Sequence, residues 1–267
     1  MRLARYLLTE GFGSQDYDAP RSKTLSLEKA AKYVVKNCSH ALKGSAVKRT
    51  IEYNVNDKAR FTDPMKGKPR ISRNTSNYYT LLIDNSPKWK RYPKRSQSII
   101  ATTGTAAFFV FAENKSKYGV CPSHDFWDSF KQSGIYSMDD FNDTLEDLAS
   151  AAGATQASYD DDISLIKSTF KIIDKAKMEG QDKLKKEYVK RSQYTDTGFM
   201  TDYFNDIDLK LYTHCEKLLD PNKNGFRIKF AGSQIPGNLE VWTNGKAILV
   251  RYNEVTEFLN EVGKIRK

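Results

Sequence analysis

A chain of 267 residues, 39% hydrophobic and 12% aromatic, carries enough apolar material for a sizeable core, which excludes a disordered chain and allows one or two domains. Its 43 Lys and Arg against 33 Asp and Glu leave a formal net charge of +10, a balance that suits acidic partners or nucleic acid and equally a solvated basic surface. No apolar run approaches the ~20 residues that span a bilayer, and Cys38, Cys121 and Cys215 are widely spaced and odd in number, as reduced cytosolic thiols are and a disulfide framework is not.

Residues 1–24 follow a short apolar start with Gly, Ser, Asp and Pro and read as a loosely held arm. The apolar part of Met1–Glu10 is too short for a signal peptide, so a cytoplasmic protein without a membrane partner is expected. Apolar positions 27, 30, 31, 34 and 35 recur at helical spacing behind Ser26, a good N-cap residue, and predict a helix over 26–36 that stops near 37–45. Arm and helix make a first segment, 1–45. Val47 to Tyr53 reads as a strand, 54–73 as a polar, basic loop and Thr75 to Asn85 as a helix. Pro87 and Pro93 bracket a loop. It holds most of the densest basic run, Lys88 to Arg95, where Trp89 and Tyr92 interleave in a way compatible with a polyanion contact. Strands are expected at Ser96–Thr102, Ala107–Phe111 and Tyr118–Cys121, completing a segment 46–124.

Near residue 125 the apolar period changes from two to 3.6, as in Phe141, Leu145, Leu148 and in Ile163, Ile166, Phe170, Ile173, so 125–220 is expected to be a helical insertion. The segment 221–267 opens on a turn cluster at Pro221–Gly225 and returns to strands. They are expected at Phe226–Phe230, at Leu239–Trp242 after a Gly/Ser/Pro loop, and at Ala247–Tyr252 after a hairpin turn, with a terminal helix at Val255–Val262. The whole reads as an α+β fold.

Several chemistries find little support. The histidines and cysteines lack metal-ligand spacing, so no metal is expected. No glycine-rich phosphate loop is present. Asp160–Asp162 suits a helix start, and Trp127 and Phe130 suit helix packing. The run Asn238-Leu239-Glu240-Val241-Trp242 is more informative, because alternation puts Asn238 and Glu240 on one strand face. Upstream lie Arg49, within Val47–Ile51, and Ser96 and Ser98, within Arg95–Ile100. A fixed carboxylate stabilises an oxocarbenium-like ribose more than a neutral one. An arginine clamps a pyrophosphate through charge-assisted hydrogen bonds, and small hydroxyl residues let a cofactor approach closely.

Arginine, then Ser-x-Ser, then a polar residue two before a glutamate, in that order, resembles the NAD-dependent ADP-ribosyltransferases of the arginine–serine–glutamate class. Tyr92–Thr103 looks like the serine strand of that family, and Phe109–Val120 is similar to the strand–turn–strand that follows it. The passage from Asn74–Thr80 through Ser96 also resembles proteins of large tailed phages with the same layout. The resemblance implies a split β-sheet core interrupted by a helical insertion and NAD as cofactor. It also implies a host protein or nucleic acid as acceptor, and action in a host bacterial cytoplasm, with carriage in the virion as the alternative. It implies that Arg49 holds the dinucleotide, with Arg60, Arg70 and Arg73 nearby as alternatives, and that Ser96 and Ser98 shape the nicotinamide-ribose pocket. By the same resemblance Glu240 is catalytic, Asn238 helps to select the acceptor, and the loop Ala231–Gly237 meets the target. The family commonly has Glu or Gln where this chain has Asn238; a Glu there suits arginine acceptors, so Asn238 points away from them. The segment from Ser98 to Ala107 is short for the family. These departures support a second reading, a catalytically degenerate binding protein on the same scaffold, such as a virion component or an inhibitor of a host factor. A plain nucleic-acid-binding module rests on charge and scattered aromatics alone.

Overall fold

The computed structural model describes residues 22–51, 57–66, 80, 83–84, 86–137, 139–141, 143 and 217–267. In chain order its elements are β1 (Ser22–Leu25), α1 (Leu27–Asn37), β2 (Lys48–Arg49), β3 (Ala59–Thr62), β4 (Ile99–Thr102), β5 (Phe108–Ala112) and β6 (Lys117–Val120). They are followed by β7 (Arg227–Phe230), β8 (Glu240–Thr243), β9 (Ala247–Arg251) and α2 (Val255–Arg266). The nine strands form one antiparallel sheet in the order β1-β3-β9-β5-β2-β4-β8-β6-β7. Sheet and flanking helices make the α+β class, and residues 46–124 and 221–267 build one sheet together, because β8 lies between β4 and β6.

Alternation along the strands sorts the apolar residues onto two faces. One face carries Ile99, Ala101, Phe108, Val110, Val120, Val241 and Leu249, a core drawn from both halves of the sheet and closed by Ala231 and Ile235 of the loop before β8. The opposite face of β9 and β5 buries Phe111, Ile248 and Val250 under α1 and α2. Helix α1 forms as its sequence predicts. Ser26 caps it by accepting from Lys29 N at 3.3 Å, Glu28 and Lys36 complement the dipole at its two ends, and Leu27, Ala30, Ala31 and Val34 make the buried stripe.

Several expectations are corrected. Ser22–Leu25, expected within a loose arm, and Ala59–Thr62, expected within a loop, are strands that pair with each other, and β3 pairs with β9. Their sequences are short and half polar, and partners distant in the chain hold them there: the apolar β9, the core that takes up Ala59, Leu25 and Phe61, and a polar clamp. Thr24 Oγ1 donates to Asp57 Oδ1 at 2.8 Å, and Asp57 accepts from Arg60 Nε at 2.9 Å. Of the strand expected over Val47–Tyr53, only Lys48–Arg49 is strand within 47–51, and 52–53 lie outside the described residues. The Ser-x-Ser stretch is not strand: Arg95–Gln97 is a 3-10 turn and β4 begins only at Ile99. The cause is Asp84, whose carboxylate accepts from Arg95 N at 2.7 Å and Ser96 N at 3.1 Å. Asn238 lies in the bend before β8, after Gly237 at φ 85°, and not in the strand. Of the expected insertion, Trp127–Ser133 is a 3-10 helix kinked at Phe130. Most of the remainder, including Asp160–Asp162, lies outside the described residues, so the helical character expected for 125–220 does too. Among the described residues no helix is long and apolar enough to cross a membrane.

Candidate active site

The register across three strands builds the site. Glu240 opens β8 opposite Thr102 of β4, and Thr102 stands opposite Lys48 of β2. Directly paired residues share a face, so Lys48, Thr102 and Glu240 form one row across the sheet. Lys48 is opposite Phe109 in turn, with Nζ 5.2 Å from the ring centroid. Arg49 takes the next position, opposite the fully buried Phe108, and shares its face with Val47 and Ile51 of the inner core. The structure therefore sets Lys48 on the same face as Glu240, two strands away, and Arg49 on the other face of the same short strand.

Glu240 is fixed by its backbone and by an ion pair. Its N–H donates to Ser123 O at 3.0 Å and its carbonyl accepts from Cys121 N at 2.9 Å. Its carboxylate meets Arg95 Nη1 at 2.6 Å, with the two side chains only 9% and 12% exposed. The guanidinium lies 4.1 Å from the Phe126 ring centroid and 5.7 Å from that of Trp242. Trp242, two residues after Glu240 on the same face, is nearly fully buried. Its Nε1 donates to Pro93 O at 2.8 Å, and Gly119 makes room for its ring, since a Cβ at Gly119 would sit 2.3 Å from it. Trp89, Tyr92, Phe126 and Phe226 pack around it. The aromatics of the run Lys88–Arg95 thus belong to the core and not to a polyanion surface. Trp89 Nε1 donates to Leu219 O at 2.7 Å and the Tyr92 hydroxyl to Phe226 O at 3.0 Å. Trp127 and Phe130 are buried, as helix packing requires.

Asn238 is exposed and reaches the same row from the loop side. Its Oδ1 accepts from Thr102 Oγ1 at 3.1 Å and lies over Gly104, where an added Cβ would fall 2.0 Å from it. Thr103 clamps the bend. Its Oγ1 donates to Gly237 O at 2.6 Å and accepts from Leu239 N at 3.0 Å. The loop expected to meet a target is tied back at its start to the segment after α1, with Ser45 N bonding Ser233 O at 3.1 Å and Ile235 N bonding Ser45 Oγ at 2.7 Å. Gln234, Pro236 and Gly237 remain exposed.

The two serines differ. Ser98 Oγ donates to Lys94 O at 2.6 Å and closes the 3-10 turn. Ser96 Oγ is buried without a hydrogen-bond partner, the one such side-chain atom among the described residues. A buried hydroxyl with its capacity unused is the exception in folded proteins and marks a place where a ligand or water can bond. Asp125 stands within electrostatic reach of Arg95; burial raises its carboxyl, against the pull of the Trp127 and Asp128 N–H groups and of Arg95. Burial, reinforced by the Glu240 charge, pushes the Cys121 thiol well up, so it is no nucleophile at neutral pH. Among the described residues no cluster of His, Cys, Asp and Glu could hold a metal.

Arg95, Thr102, Lys48 and Asp84 were not singled out by the sequence. Arg95 was legible as the neighbour of Ser96, but nothing in the sequence pairs it with Glu240. No family model, curated protein or solved structure matches this chain, so the chemistry of the Glu240 row stands on its geometry.

Proposed function

We propose that this protein is a mono-ADP-ribosyltransferase that moves ADP-ribose from NAD to a protein or nucleic-acid acceptor of a host cell. One observation carries the reading. The strands that hold or follow the three motifs, β2, β4 and β8, are consecutive neighbours in the sheet, and a partly buried carboxylate opens the last of them. In the reaction the ribose C1′–nicotinamide bond breaks and nicotinamide leaves with the bonding electrons. Positive charge grows on the ribose, and Glu240 meets it with a fixed negative charge. A nucleophile of the acceptor then bonds C1′ and gives up its proton.

The residues present fit this substrate in part. Lys48 lies two strands from Glu240, a span of roughly 10 Å at the usual strand spacing, and is the β2 cation on the glutamate's face. It, and not Arg49, is the better pyrophosphate contact. Ser96 offers its unused hydroxyl, and Asn238 stands at the exposed end of the row, where an acceptor would arrive. The degenerate binding-protein reading is favoured by the placement of Arg49 on the other face of β2.

Titration calorimetry separates the two readings. NAD binding is expected to weaken by ~1.5–3 kcal/mol in Lys48→Ala, the scale of a hydrogen bond to a charged group, and much less in Arg49→Ala. No heat at millimolar NAD would favour the degenerate site.

A further inference from the structure

We propose that Arg95 is the positioning residue of this site, fixing the Glu240 carboxylate in the orientation from which it meets the ribose. The inference rests on the transferase reading and adds a residue to it. The Arg95–Glu240 contact of 2.6 Å joins the turn before β4 to the start of β8, two segments far apart in the chain. Each partner is immobilised independently of the other. Arg95 is held by its backbone N–H on Asp84 and by its guanidinium face on Phe126. Glu240 is held by main-chain bonds to Ser123 and Cys121 and by its register with Thr102. A planar guanidinium can stack and donate at once, which a lysine ammonium cannot do.

The surroundings also argue for a role beyond stability. A buried ion pair stabilises a fold no better than apolar residues of similar volume, and often less well. Phe126 and Trp242 flank the guanidinium, so apolar side chains would suit this place, and the pair is better explained by use of the anion. Among the described residues Cys121 feels the charges of both Glu240 and Arg95 and Asp125 feels that of Arg95, and burial is the largest cause that raises each of the two.

The test uses the full chain as wild type, Arg95→Lys and Arg95→Met, with the double variant Arg95→Met/Glu240→Gln as a folding control. Nicotinamide release is followed against NAD concentration and pH. The Glu240 carboxyl is titrated separately by carbon NMR without NAD. Arg95→Met is expected to lower kcat on the order of 100-fold, the cost of a misplaced reacting group, with the KM for NAD little changed. Its acid limb is expected to move to higher pH, because a carboxylate that loses its cation takes up a proton more readily. Arg95→Lys should recover about tenfold and stay below wild type, since it keeps the charge but not the fork. Unchanged kcat and an unmoved acid limb in Arg95→Met would overturn the proposal while leaving the transferase reading intact. So would an Arg95→Lys variant as impaired as Arg95→Met. If Arg95→Met fails to fold, Arg95→Lys against wild type decides, with an equal kcat and pH profile counting against the proposal. A wild type that releases no nicotinamide, with a Glu240 titration that still depends on Arg95, would overturn both the reading and the positioning role, and leave a structural pair.

Discussion

Arg95 and Glu240 meet at 2.6 Å where both side chains are largely buried, and their variants should behave unequally. Arg95→Met takes away one side of a largely buried ion pair and should cost ~3–5 kcal/mol in urea denaturation. Glu240→Gln keeps a carbonyl that can still accept from Arg95 and should cost ~1–3 kcal/mol. The double variant Arg95→Met/Glu240→Gln should be more stable than Arg95→Met alone, a coupling that a double-mutant cycle reads directly. At the exposed end of the row, Asn238→Ala removes the acceptor of Thr102 Oγ1. It should weaken transfer to an acceptor while sparing slow NAD hydrolysis, measured as label incorporated into host lysate beside nicotinamide released. The sequence made Glu240 and Asn238 visible because alternation along an apolar strand would put both on one face, although the strand begins only at Glu240 and Asn238 reaches the row from the bend before it. It hid Arg95, which read as one cation in a basic run until the turn at Asp84 carried it to β8.

Short elements hold this fold, and their limits are set by close contacts. Gly119 in β6 lies against the Trp242 ring, so Gly119→Ala must displace a nearly fully buried indole from Tyr92 and Trp89. A loss of ~1–3 kcal/mol is expected, as for overpacked cores, with a tryptophan fluorescence change in the folded state. The thiol-bearing ends of α1 and β6 give a pH test. Burial, with the Glu113 charge adding to it, pushes Cys38 up to about 12, and burial pushes Cys121 well up. For groups raised on folding, the stability they contribute is full below the ordinary thiol value of 9.0 and is lost as the pH climbs through the folded value. Stability should therefore fall as pH rises above about 9, and both thiols should resist iodoacetamide at pH 8 until urea unfolds the chain. Strands rich in Phe, Val and Ile, such as β5 and β9, were legible because their apolar residues require burial. β1 and β3 were not, because Ser22–Leu25 and Ala59–Thr62 gain their strand character from partners distant in sequence. The Ser-x-Ser turn was misread for a related reason, since a side chain 11 residues upstream overrides the local β preference of the stretch.

At the scale of the whole molecule, the sheet order could not be read from the sequence, since β9 enters between β3 and β5 from the far end of the chain. The class α+β was legible from the alternation of apolar periods. The split-sheet architecture of a transferase was implied only by the resemblance. The two-residue β2 sits at the middle of the order; β5 and β9 contribute residues to the cores on both faces of the sheet, whereas β1 and β7 are edges. Native-state hydrogen exchange should find the slowest amides in β5 and β9 and the fastest strand amides in β1 and β7. Uniform protection across the nine strands would contradict that layout. The basic balance of the chain is compatible with nucleic acid or an acidic protein as acceptor.

The central claim, that Glu240 supplies the negative charge on which NAD cleavage depends, is tested most directly by nicotinamide release from labelled NAD with wild type and Glu240→Gln, both verified as folded. The wild type should release nicotinamide, and Glu240→Gln should be slower by roughly two to three orders of magnitude, the scale of removing one such electrostatic group, with most NAD affinity kept. Equal release by the two proteins, or none by either, would contradict the claim and leave a binding protein built around a buried Arg95–Glu240 pair.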